Sequence, residues 1–101
     1  MKRYAFNKDI NKLTIEQFKS MTDSDPITEK MAILKYMRSF PHSAYTTAPV
    51  YDRITGEVVR ESDDQITDGT YIWYESWIYH FEKYDLKLND DFIEYVLDRP
   101  A

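Results

Sequence analysis

The chain has 101 residues, of which 43% are hydrophobic and 16% aromatic. This length predicts one globular domain over residues 1–101, and this composition excludes disorder. Eighteen acidic and thirteen basic residues give a net charge of −5, which disfavours direct binding to nucleic acid and to anionic membrane surfaces. Because the sequence has no cysteine, no secretory signal pattern and no apolar run of roughly 18 residues, it predicts neither disulfides nor a membrane-spanning helix, and we expect a cytoplasmic protein.

The N-terminal segment, residues 1–13, intersperses basic side chains with apolar ones and is predicted to be an extended arm or a first strand. The following segment LTIEQFKSM predicts a short helix, because Thr14 and Gln17 have the spacing of a reciprocal N-terminal cap. Ile15 and Phe18 are expected on one face of that helix.

The segment SDPITEKMAILKYMRSF has a stronger helical pattern, and we predict a helix over about residues 26–39. Asp25 is suited to cap it, and the proline that follows suits the first helical position because its missing N–H has no helical partner there. Ile27, Met31 and Leu34 follow the i, i+4, i+7 spacing of a buried face. A further proline shortly beyond ends the helix.

Two strands are predicted from the segment PVYDRITGEVV, because β-branched and aromatic residues flank a turn in which Gly56 can adopt positive φ. Asp68 and Gly69 form a second turn signal, and the strand-like residues TYIW follow it. We therefore expect a three-stranded antiparallel meander, with the acidic segment ESDDQITD as the loop before its third strand.

After that strand the apolar period changes from 2 to 3.6, which predicts a helix over about residues 74–84 with Trp77 and Phe81 in the core. Asn89 suits the cap of a last helix that runs to about Leu97. The predicted architecture is an α+β fold with two N-terminal helices, a three-stranded antiparallel meander and two C-terminal helices.

Residues suited to catalysis are few and poorly spaced. The sequence has no cysteine nucleophile, no G-x-S-x-G turn and no glycine-rich phosphate loop. His80 and Glu82 lie two residues apart, so on a helix they diverge instead of sharing a metal ion. We expect His80 to be a satisfied, half-buried helix residue and His42 a loop residue. The protein is predicted not to be an enzyme and to hold no metal or cofactor; a small metal-dependent hydrolase that uses His80 is the last of three alternatives.

Acidic residues form two groups that suit a positively charged partner. The first, in the predicted loop, comprises Glu61, Asp63, Asp64 and Asp68, and the second, near the C-terminus, comprises Asp85, Asp90, Asp91 and Glu94. Clustered acids are unfavourable unless water or a partner's positive charge surrounds them. A solvated loop is the competing interpretation for Asp63 and Asp64, and helix capping is the competing interpretation for Asp90 and Asp91.

Tyrosines are the second class of residue that we consider as contacts to a partner. Nine tyrosines are more than a small core can bury with every hydroxyl satisfied. Some must therefore expose an aromatic face, and tyrosine is enriched at interface hot spots. The residues that we expect to contact a partner are Tyr45, Tyr51, Tyr74 and Tyr79.

The C-terminal half of the chain carries, in this order, the segments PVYDRITGEVV, TDGTYIW (67–73), YHFEKYDLKL (79–88) and DDFIEYV (90–96). These segments resemble small bacterial immunity proteins of polymorphic and contact-dependent growth inhibition toxin systems. The resemblance implies a cytoplasmic protein that binds a cognate toxin domain and blocks its active site or its access to substrate. Many such toxins are nucleases, whose basic clefts attract an acidic inhibitor. The remaining alternative is a structural or regulatory adaptor that acts as a homodimer.

Overall fold

In the computed structural model, which describes residues 3–22 and 28–98, the chain folds into a mixed α+β structure with four α-helices and two β-sheets. The strands are β1 (Arg3–Tyr4), β2 (His42–Ala44), β3 (Val50–Tyr51), β4 (Val58–Arg60), β5 (Gln65–Thr67) and β6 (Tyr71–Tyr74). The helices are α1 (Ile15–Ser20), α2 (Lys30–Met37), α3 (Glu75–Tyr84) and α4 (Asp90–Leu97), with a 3₁₀ turn at Ile10–Lys12.

The larger sheet has the strand order β1-β6-β5-β2, in which β6 runs parallel to β1 and antiparallel to β5. The predicted three-stranded meander is wrong. The hairpin β3–β4 forms a separate two-stranded sheet, and the TYIW strand pairs with β1 and β5 instead. The reason is burial: Tyr71, Ile72 and Trp73 are all buried, and buried backbone groups on both edges of a strand must find partners.

Both turn predictions are confirmed. Gly56, in the β3–β4 turn, has a φ of +77°, and Gly69, between β5 and β6, has a φ of +98°. Glycine adopts such angles without the steric penalty of a side chain. The strand β5 itself lies within the segment predicted to be an acidic loop, so that part of the prediction is wrong.

Helix α1 begins as its sequence indicates. The Thr14 hydroxyl accepts a hydrogen bond from the Gln17 N–H at 3.1 Å, and the Gln17 side-chain oxygen accepts one from the Thr14 N–H at 2.9 Å. Phe18 is buried, but 44% of Ile15 is exposed. The prediction of a shared buried face is therefore wrong for Ile15, because a helix of six residues contacts the core through one turn only.

Helix α2 is confirmed over Lys30–Met37, whereas the predicted cap Asp25, the predicted start of the helix and Ile27 lie outside the described residues. Its buried residues are Ile33, Leu34 and Met37. Met31 is 73% exposed, so the predicted stripe is wrong at that position. The i, i+4 pair Ile33 and Met37 sets the inward face, and Met31 lies away from it.

The core is built around β6 and the two C-terminal helices. Trp73 is fully buried, and its indole N–H donates to the Met37 carbonyl oxygen at 3.1 Å. Trp77 and Phe81 on α3 are buried, which confirms the predicted core face of that helix, and Phe92 is the buried centre of α4.

The N-terminal segment packs against the rest of the molecule. Arg3 and Tyr4 form β1, so the first-strand prediction is confirmed there, and the Ala5 N–H donates to the Ile72 carbonyl oxygen at 2.9 Å. Phe6 is buried just beyond the strand. These contacts bring the N-terminal segment beside the start of α3, where a cleft forms.

Candidate functional site

A cleft of about 620 Å³ is lined by the N-terminal segment, by residues that follow β2 and by the junction of β6 with α3. Its aromatic lining centres on Trp77, whose ring centroid lies 4.9 Å from that of Tyr74 and 5.7 Å from that of Phe6. Tyr4 and Tyr45 extend this lining. Concave surfaces with apolar walls and a few polar groups are typical of ligand sites, so the cleft is a candidate binding site.

Asp63 lines this cleft, named the Asp63 cleft below, and the residue is only 8% exposed. Its Oδ1 accepts a hydrogen bond from the Ser76 backbone N–H at 2.8 Å, and its Oδ2 accepts one from the Ser76 hydroxyl at 2.9 Å. Asp63 thus accepts a backbone N–H that has no partner within the helix, because Ser76 lies in the first turn of α3. Burial raises the pKa of the Asp63 carboxyl, the two bonds from Ser76 oppose that rise, and the negative charges of Glu75 and Asp64 add to it.

Asp64 is buried within a group of charged side chains. Its Oδ2 lies 3.0 Å from Nδ1 of His42 and 3.7 Å from the guanidinium of Arg60. His42 Nε2 in turn lies 2.6 Å from Oε1 of Glu75. His42 is the first residue of β2 and not the loop residue predicted. Its contact with Glu75 links that strand to α3. The solvated-loop interpretation of Asp63 and Asp64 is wrong, because both side chains are buried against α3 or β2.

Asp68 also has a structural place. Its Oδ1 accepts hydrogen bonds from the backbone N–H groups of Thr70 and Tyr71 at 2.8 and 2.7 Å, and its Oδ2 accepts one from the Tyr36 hydroxyl. Glu61 is the exposed member of the first acidic group. The four acids therefore do not form one common surface.

More residues of the second acidic group than of the first are exposed to solvent. Asp90 and Asp91 lie in the first turn of α4, as the capping interpretation predicts, and both are exposed together with Glu94. Asp85 differs, because it is half-buried and its carboxylate lies 2.6 Å from the Lys30 ammonium.

The four selected tyrosines fall into two classes. Tyr45 is 78% exposed and Tyr51 is also exposed. Tyr74 is half-buried and lines the Asp63 cleft. Tyr79 is half-buried as well, and its hydroxyl donates to Asp52 at 2.6 Å, which ties it to the fold.

Asp52 is a buried acid that the sequence analysis did not single out. Its carboxylate accepts hydrogen bonds from the hydroxyls of Tyr79 and Tyr84 and from two backbone N–H groups of the following turn, and the Lys83 ammonium lies 3.3 Å away. Burial on its own raises the pKa of the Asp52 carboxyl, but these donors outweigh it and hold the pKa well below its usual range. The available signal was an aspartate directly before the hairpin turn, where its side chain can accept from the turn backbone.

His80 is satisfied, as predicted, but it is fully buried and not half-buried. Its Nε2 accepts the Arg53 backbone N–H at 3.1 Å, and Nδ1 lies 2.7 Å from the Ser76 carbonyl oxygen. These two contacts require the neutral ring with its proton on Nδ1. Burial lowers the pKa of His80, which favours the same neutral form.

Comparison of the chain with protein-family models, with curated proteins and with solved structures finds no match. Within residues 3–22 and 28–98, no helix combines the length and the apolar character needed to cross a membrane. In the same part of the chain, no group of three or more histidine and acidic side chains is arranged to hold a metal ion.

Apolar side chains are exposed on the hairpin β3–β4. Tyr51 and Val58 are cross-strand partners, and Val59 follows in the same strand. All three are exposed, Val58 by 57%. These three exposed apolar residues are named the hairpin strip below.

Proposed function

We propose that the protein is an immunity protein, which binds a cognate bacterial toxin domain in the cytoplasm and neutralises it by stoichiometric occlusion. The target is a nuclease domain with a basic substrate cleft. The observation that carries this proposal is the hairpin strip, Tyr51, Val58 and Val59, which is exposed on a sheet of only two strands. Exposed apolar patches mark interaction sites, and tyrosine is enriched at their energetic centres.

The polar side chains that could act in catalysis already contact other groups of the fold, which supports a binding role over a catalytic one. Both ring nitrogens of His80 are occupied by backbone groups, and those of His42 lie against Asp64 and Glu75. The Asp52 carboxylate accepts from two tyrosine hydroxyls. A general acid or base must reach its substrate, and these groups are already engaged in contacts that link secondary-structure elements.

The charge distribution supports a basic partner. Along α4 and the residue after it, the exposed carboxylates are Asp90, Asp91, Glu94 and Asp98, and no basic residue interrupts them. An acidic surface raises the rate of association with a basic cleft through complementary electrostatic fields. The hairpin strip would then supply the short-range apolar contact.

Co-expression with a toxin domain sought among the neighbouring genes tests the proposal. We expect growth to be restored and a complex with one copy of each chain to be isolated. Val58→Glu should weaken the complex by at least about 30-fold, the effect of losing roughly 2 kcal/mol at a hot spot. Met31→Glu, which alters an even more exposed apolar residue on α2, should leave the affinity unchanged.

Two results would contradict this assignment. If the wild-type chain neither protects cells nor binds the neighbouring toxin domain, the immunity function is wrong. If the toxin is bound and Val58→Glu has no more effect than Met31→Glu, the hairpin strip is not the contact surface.

The homodimeric adaptor remains the second candidate, because β3 and β4 each have one edge that pairs with no other strand in the described part of the chain. A second copy can pair with such an edge. Sedimentation at high protein concentration distinguishes the two functions: a dimer that Val58→Glu dissociates would favour the adaptor, and a monomer would exclude it.

A further inference from the structure

We propose that the Asp63 cleft receives a positively charged side chain, arginine or lysine, from the protein partner, with Asp63 as its counter-charge. This inference rests on the proposed function, because it assigns one specific contact to the complex between this chain and a basic toxin domain. The cleft and the hairpin strip are different surfaces, so the two assignments can be tested separately.

Charge pairing is the first line of support. Three aspartates in the described residues are buried, namely Asp52, Asp63 and Asp64. Asp52 is paired with Lys83 at 3.3 Å, and Asp64 lies 3.0 Å from His42. Asp63 has no ion pair within residues 3–22 and 28–98, although it accepts two hydrogen bonds. A buried carboxylate without a counter-charge is unfavourable, and a cation that enters the cleft would supply the charge that the fold does not.

The aromatic lining is the second line of support. Trp77, Tyr74, Phe6 and Tyr4 all line the same cleft as Asp63. Aromatic rings attract arginine and lysine through cation–π contacts and pack against their aliphatic stems. A cleft of about 620 Å³ lies within the range of about 300–1,000 Å³ that ligand sites occupy. It therefore accommodates a long side chain together with part of its flanking backbone.

Two further charges line the cleft and set how strongly a cation binds. Asp9 adds a second carboxylate, which accepts the Asn11 N–H at 3.0 Å, whereas Lys8 adds one positive charge. Lys8 is exposed and forms no ion pair among the described residues. Because its ammonium repels an incoming cation, Lys8→Met should strengthen binding of that cation.

Small probes test the ligand class without the toxin. N-acetyl-lysine amide and N-acetyl-norleucine amide differ by the ammonium group, and N-acetyl-arginine amide provides a second cation. Titration followed by ¹H–¹⁵N correlation spectra should give saturable shifts at Ser76 and at the Trp77 indole. We expect the lysine amide to bind at least fivefold more tightly than the norleucine amide, and Lys8→Met to increase its affinity severalfold.

Asp63→Asn is the decisive variant. Asparagine keeps an oxygen for the Ser76 N–H, and the spectrum of the variant reports directly whether the fold is retained. We expect it to lose the preference for lysine amide over norleucine amide. Glu16→Gln removes the same formal charge at an exposed position outside the cleft and should keep that preference. Equal binding of the two amides by the wild-type chain, or an undiminished preference in folded Asp63→Asn, would overturn the inference.

The same variants separate this inference from the proposed function. If Val58→Glu weakens the toxin complex and Asp63→Asn does not, the cleft is not a contact site, although the immunity function stands. If the cationic amides bind at the cleft but the toxin domain is not bound, the ligand class stands and its assignment to a toxin is wrong.

Discussion

His80 shows how one buried side chain makes stability depend on pH. The folded chain holds it neutral, between the Ser76 carbonyl oxygen and the Arg53 N–H, and burial lowers its pKa. In the unfolded chain the imidazole has its ordinary pKa of about 6.5. As the pH falls below that value, the unfolded state binds a proton that the folded state does not, so the free energy of unfolding decreases.

We therefore expect urea denaturation to give a lower free energy of unfolding at pH 5.5 than at pH 7.5. His80→Gln should reduce that difference, because it removes the group that titrates in the unfolded state. NMR of the ring nitrogens should show the proton on Nδ1 in the folded chain across this range. An unchanged difference in His80→Gln would mean that other groups cause the pH dependence.

Asp63 acts in the opposite direction. Burial raises the pKa of its carboxyl, so protonation favours the folded state as the pH falls through the raised value. The two groups therefore change the free energy of unfolding in opposite directions as the pH falls. His80 has hydrogen-bond partners that suit its neutral form, whereas the Asp63 carboxylate has no ion-pair partner in the described part of the chain.

At the scale of elements, Asp52 links the hairpin to α3, beside the hydrogen bond from the Arg53 N–H to His80. It follows β3 directly, and its carboxylate accepts the hydroxyls of Tyr79 and Tyr84, both on α3. Asp52→Ala would leave these hydroxyls and two turn N–H groups without their acceptor. We expect a loss of about 3 kcal/mol in the free energy of unfolding, measured by urea denaturation. Glu57→Ala, an exposed acid in the same hairpin, should cost less than about 0.5 kcal/mol; equal costs would show that the link is unimportant.

Local signals in the sequence predicted the elements whose formation depends on near neighbours. The reciprocal cap of Thr14 and Gln17, the glycine turns and the aromatic face of α3 all follow from residues within one or two turns of chain. Strand pairing was predicted less well, because it depends on distant residues. β5 has a single buried apolar residue, Ile66, and its pairing with β2 is not visible in so short a pattern.

In the candidate site, too, features that depend on near neighbours were predicted and features that depend on distant residues were not. The acidic segment was identified as charged, but burial of Asp63 and Asp64 depends on β2 and α3, which lie elsewhere in the sequence. The exposure of Tyr45 and Tyr51 agrees with the surplus of tyrosines. Asp52 was missed because its tyrosine partners follow it by 27 and 32 residues, and nothing local indicates that they meet.

At the scale of the whole molecule, the N-terminal segment decides whether the Asp63 cleft exists. Phe6 is buried against Trp77 with 5.7 Å between ring centroids. Phe6→Ala should lower the free energy of unfolding by about 3–5 kcal/mol, the usual cost of removing a buried ring. Tyr4→Ala, a half-exposed neighbour, should cost clearly less. A loss below about 1 kcal/mol for Phe6→Ala would show that the segment is an undocked arm in solution.

The parallel pairing of β1 with β6 also orders events during synthesis. Arg3 pairs with Tyr71, and the Ala5 carbonyl oxygen accepts the Asn89 N–H at 2.8 Å, so β1 must wait until Tyr71 and Asn89 have been translated. Contacts so distant in the chain form late. A nascent chain that still holds β6 and α3 inside the ribosome lacks one wall of the cleft, and the proposed binding of a cation there becomes possible only after α3 has emerged.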